Sequence, residues 1–168
     1  MDLMKKIEGT RPLGNEFMTW LLYKSVAGEG QLPTEMGPVE LWFEDKITFV
    51  SPYAGGEVNI LKGESPAQGQ EAVTAIQQGK QIEDAKLSVN LQGRRWDFSF
   101  NGPKFLLSGV KVPSISAETE FEAVIDRFDH LGTLEQIMRA LYHDFLKIRL
   151  DDSAWKAECR IIERFFAR

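Results

Sequence analysis

KLSVNLQGRRWDFSFNGPKFLLSGVKV, residues 86–112, is the stretch that decides the fold. Leu87, Val89 and Leu91 alternate with Lys86, Ser88 and Asn90, and Trp96, Phe98 and Phe100 alternate with Arg95, Asp97 and Ser99. Successive side chains of a strand point to opposite faces, so each run has one apolar and one polar face. Gln92-Gly93 and Asn101-Gly102 interrupt the runs with residues suited to tight turns. A third strand, Lys104 to Val112, ends at Pro113. The predicted unit is an antiparallel meander whose apolar face needs a cover.

Working outward, residues 1–12 form a loosely held lead-in. Residues 15–25 (NEFMTWLLYKS) place Phe17, Trp20, Leu21 and Lys24 at helical spacing, with Asn15 as a cap. Residues 27–38 are turn-rich and predict a loop. VELWFEDKITFV (39–50) alternates on either side of Glu44-Asp45, the pattern of a hairpin, and 57–63 is a further short strand. Ser65-Pro66 predicts a capped helix start, and the helix carries Ala72, Val73 and Ile76 to a stop at Gly79.

The last third is helical. One helix runs from Glu118 to about Phe128. Thr133 and Gln136 form a capping box for a second, with Leu134, Ile137, Met138, Leu141, Phe145 and Ile148 along one side. Asp151-Asp152 opens a terminal helix with Trp155, Cys159, Ile162 and Phe166 on one stripe. Strands first and helices after predict an α+β fold: an antiparallel sheet packed with helices, as a domain over 13–150 followed by an amphipathic helix at 151–168.

The 168 residues carry a net charge of −5, which opposes nonspecific adhesion of the whole surface to nucleic acid or anionic lipid. The single cysteine, Cys159, excludes an intramolecular disulfide and a thiolate metal cluster. No secretory signal or apolar span of about 20 residues is present, so no membrane association and a cytoplasmic location are expected. Neither GxGxxG nor GxxxxGK[ST] occurs, and no cofactor is expected. Asp126, Asp129 and His130 fall on one helix side in the manner of a metal site for phosphodiester cleavage, yet no second acidic motif or lysine accompanies them. No catalytic residue, no metal site and no enzyme activity are expected. Trp20, Trp42, Trp96 and Trp155 each occupy apolar positions and predict core packing.

The one net-positive segment is 80–111, with six basic and three acidic side chains. In the meander, Lys86 and Arg95 must lie opposite the apolar face, while Lys80, Arg94, Lys104 and Lys111 sit at strand ends or turns. Such side chains, with serine and asparagine among them, contact phosphates without reading bases. A solvated outer face accounts for the same pattern.

Four stretches in order resemble the C-terminal part of the recombination-associated RdgC family. They are EFMTWLLYKS (16–25), VNILKGESPAQGQEAVTAIQQGKQIEDAKLSV (58–89), WDFSFNGPKFLLSGVKVP (96–113) and DRFDHLGTLEQIMRALYHDFLKI (126–148). The similarity covers about residues 13 to 150. It implies a DNA-binding protein of low sequence preference that dimerises into a ring around duplex DNA and restrains the RecA recombinase, hence a nucleoid location. It carries over Lys80 and Lys86; Arg94, Arg95, Lys104 and Lys111 are added on charge. The family's N-terminal half, which contributes to ring closure, has no counterpart in the matched pattern. The alternative expectation is a module for protein interaction or dimerisation that keeps the fold and does not bind DNA.

Overall fold

The computed structural model describes residues 12–51 and 56–168. In chain order the elements are α1 (Pro12–Ala27), β1 (Gln31–Thr34), β2 (Gly37–Val50), β3 (Val58–Lys62), a 3-10 turn (Pro66–Gln68), α2 (Gln70–Gln77), β4 (Gln81–Leu91), β5 (Arg94–Asn101), β6 (Leu106–Lys111), α3 (Glu120–Arg149) and α4 (Asp152–Phe166). The six strands form one antiparallel sheet in the order β1-β2-β4-β5-β6, with β3 on the same edge of β2 as β1. The fold is α+β, and the central meander is the one the alternation predicts.

Its inner face carries Leu41, Phe43, Leu87, Val89, Trp96, Phe98 and Phe100, all buried. The cover is an aromatic cluster: Phe17 of α1 meets Phe100 at 6.1 Å and Phe145 of α3 at 5.5 Å between ring centroids, and Phe145 meets Trp155 of α4 edge-on at 5.6 Å. Edge-to-face and tilted contacts of this kind hold rings beyond their area burial. Gly14 of α1 rests against Gly102 in the β5–β6 turn so closely that a Cβ on either would overlap the other's backbone. At the β4–β5 turn Gln92 and Gly93 both take positive φ (54° and 80°), as a two-residue hairpin loop requires.

Several expectations are corrected. Residues 27–38 contain a short strand, β1, paired with the start of β2. Residues 39–50 are one continuous strand and no hairpin: Glu44-Asp45 sits in an irregularity between Phe43 and Ile47, where the extra residues of β2 face Lys86 of β4. A bulge breaks alternation as a turn does, without reversing the chain. Ser65 is left-handed and makes no capping bond to the 3-10 turn that follows. Residues 120–149 are one helix that passes through Gly132, and the Thr133 hydroxyl donates to the Asp129 carbonyl of its own helix. The true cap is Thr119, which accepts from the Glu122 amide at 3.2 Å. Trp42 lies opposite Leu41 and Phe43, half-buried, its Nε1–H donating to Glu40. The expected lead-in falls on residues 1–11, outside the described residues, while Pro12 already belongs to α1.

The terminal helix is an integral part of the packing. Asp151 caps it, accepting from the Ala154 amide at 2.9 Å. Glu158, on the buried side, accepts from Trp20 Nε1–H at 3.0 Å and pairs with Lys24 at 2.7 Å. A buried carboxylate is tolerable only with such partners. Among the described residues no helix is long and apolar enough to cross a membrane.

Candidate nucleic-acid interface

The outer face of the sheet is built by the polar half of the same alternation. Registry sets Lys86 opposite Ser99, Ser88 opposite Asp97, Asn90 opposite Arg95, and Asp97 opposite Lys111. Lys86, Arg95 and Lys111 thereby converge on a cleft of about 410 Å³, with Ser99 and Gly109 in its lining. Three of the six cations named from the sequence are therefore brought together.

The other three are elsewhere. Arg94 shares the inner side with Trp96, its guanidinium 5.7 Å from the ring centroid. Lys80 is largely covered, pairing with Glu57 at 3.4 Å and bonding Asn59. Lys104 stands exposed on the β5–β6 turn, its amide donating to the Asn101 side chain at 3.1 Å.

Carboxylates enter the same cleft, and sequence reasoning missed their role. Asp45 pairs with Lys86 at 3.3 Å. Arg95 pairs with Asp97 at 2.8 Å and with Glu44 at 3.3 Å. The hydrogen bonds that Arg95 donates to Asp97 do most to raise the Arg95 pKa, and the fields of Asp97, Glu44 and Glu40 add to them against the cost of desolvation. Asp97 is visible in the β5 alternation, whereas Glu44 and Asp45 reach the cleft only because β2 bulges. Lys111 has no ion-pair partner among the described residues. The cleft thus holds three cations against three anions, and its capacity for a phosphate rests on Lys111 and on exchange of partners at Lys86 and Arg95.

The acidic group on α3 has a different surrounding. The His130 ring lies edge-on to Trp96 at 6.0 Å, and its carbonyl accepts from Trp96 Nε1–H at 2.9 Å. Among the described residues no group of three or more His, Cys, Asp and Glu is placed to hold a metal ion. Cys159 is half-buried, and burial, with Glu16 and Glu163 nearby, pushes its thiol pKa up, away from thiolate chemistry.

A second feature has no counterpart in the sequence reading. Along the first half of α3, Phe121, Val124, Ile125 and Phe128 are exposed, at 74%, 52%, 44% and 69%. Their spacing makes one stripe, and the less exposed residues of the stretch 120–130, Ala123, Asp126 and His130, lie on the opposite side of the helix. The helix turns its polar side to the body and its apolar side outward.

No protein-family model matches the chain, and no curated protein does so.

Proposed function

We propose that the chain is an RdgC-like, DNA-associated domain without catalytic activity that acts in recombination and holds backbone phosphates on the outer face of its sheet. The observation that carries the reading is the convergence of Lys86, Arg95 and Lys111 beside Ser99 on one open face. The ordered resemblance of four stretches to the RdgC family supports it from the sequence side, and with it a homodimer, a recombination protein as partner and a place at the nucleoid. Contacts of this kind position a duplex and read no bases.

The carboxylates set the strength. A phosphate must draw Lys86 from Asp45 and Arg95 from Asp97, so affinity is low and few counterions are released. With three phosphates neutralised, log K falls with log salt at a slope of about −3. The test is a gel-shift series on duplex and single-stranded DNA. Retention at low salt that fades over that slope, and falls in the Lys86→Ala/Lys111→Ala variant, supports the reading. No retention of either DNA at low salt refutes it.

A second reading is a protein-interaction or dimerisation module that makes no DNA contact. The matched charges of the cleft favour it, because Lys86 and Arg95 already have partners within the chain. Under it Lys86→Ala and Arg95→Ala leave function unchanged.

A further inference from the structure

We infer that the outward stripe of α3 is the contact surface for a second copy of this chain, and that the two α3 helices cross it antiparallel about a twofold axis between Val124 and Ile125. The inference rests on the homodimer of the proposed function, for which it names the contact surface, and it is independent of phosphate binding.

The stripe is large enough. Taking roughly 200 Å² for each phenylalanine, its exposed fractions present on the order of 400 Å² of apolar surface per copy, within the range of the largest and often functional patch of a monomer. Two copies bury about twice that, and the polar flanks of both helices bring the total to the roughly 1,200 Å² at which specific interfaces begin.

The stripe is also symmetric. FEAVIDRF (121–128) places phenylalanines at both ends and β-branched residues in the middle. Antiparallel pairing sets Phe121 against Phe128 of the partner subunit, and Val124 against the partner's Ile125. Such self-complementarity is what a twofold interface needs, since the same patch serves both subunits. At 100° per residue, Glu120 and Arg127 share one flank. The pairing brings Glu120 within a turn of the partner's Arg127, twice by symmetry. Glu122 and Asp129 share the other flank and repel, as do the two net charges of −5. Association therefore strengthens with salt, opposite in sign to phosphate binding.

Sedimentation velocity of the full chain from micromolar to sub-millimolar concentration tests this. The expected result is a monomer–dimer equilibrium that tightens with added salt. Phe121→Glu/Phe128→Glu weakens it by on the order of a hundredfold or more, with an unchanged circular dichroism spectrum because both rings are already exposed. A chain that stays monomeric throughout, or a dimer indifferent to the double substitution, overturns the inference. Register is read in a Cys159→Ser background by mixing Phe121→Cys with Phe128→Cys chains under mild oxidation. Mixed disulfides in excess over either self-disulfide are expected. An excess of self-disulfides, or no cross-link, overturns the antiparallel pairing. DNA retention by the Phe121→Glu/Phe128→Glu variant reports on phosphate binding separately.

Discussion

The outer face of the sheet and the first half of α3 are both open to solvent, and they are finished in opposite ways. On the sheet, Lys86 of β4 meets Asp45 of β2, and Arg95 meets Asp97 of its own strand and Glu44 of β2. On α3, Phe121, Val124, Ile125 and Phe128 meet nothing among the described residues that buries them. Charge is balanced internally and apolar surface is not. Exposed ion pairs contribute about 0–1 kcal/mol each, whereas an apolar side chain left in water forgoes about 1.5–3 kcal/mol. The unused free energy of this fold therefore lies on α3, and the sheet face is the weaker, more salt-sensitive surface.

The contrast is sharpest within α3 itself, whose second half buries Leu134, Ile137, Met138, Leu141 and Phe145. Phe145→Ala should cost about 3–5 kcal/mol in denaturant unfolding. Phe128→Ala, measured on dilute monomer, should change stability by no more than about 0.5 kcal/mol. Equal losses at the two sites would break the comparison. The anchored half also depends on α4, so Glu158→Ala, which strands Trp20 Nε1–H and Lys24, should cost about 1–3 kcal/mol. Gly132, where a Cβ would meet nothing within 4 Å, joins the two halves. Gly132→Ala should stabilise by about 0.5–1 kcal/mol if the helix is continuous; a loss would mean that the helix breaks there. As small as the effect at Phe128, Lys86→Ala should move stability by about 0.5 kcal/mol or less, as befits a half-exposed pair.

The sequence made the meander legible because Lys86–Leu91 of β4 and all of β5 alternate with period two, and their turns carry the glycines those turns need. It did not distinguish a bulge from a hairpin at Glu44-Asp45, since both interrupt alternation and only the pairing partner, β4, separates them. The join in α3 was similarly hidden: one glycine in a helix of 30 residues costs about 1 kcal/mol, too little to end it. Glu158 lies 138 residues from Trp20, so its burial had no local signal. Of the proposed phosphate site, alternation placed Lys86 and Arg95 on one face. It also set Asp97 beside Arg95 and Arg94 on the inner side with Trp96, but it did not announce Glu44 and Asp45, which come from the β2 bulge.

Those carboxylates permit the most direct test of phosphate binding at the cleft, by fluorescence anisotropy of a labelled duplex at low salt. If Lys86 and Arg95 are phosphate ligands held back by their partners, Asp45→Asn/Asp97→Asn frees Lys86, leaves Arg95 with Glu44 alone and tightens binding by on the order of tenfold or more. An affinity equal to that of the unaltered chain, or no binding by either, would contradict the account.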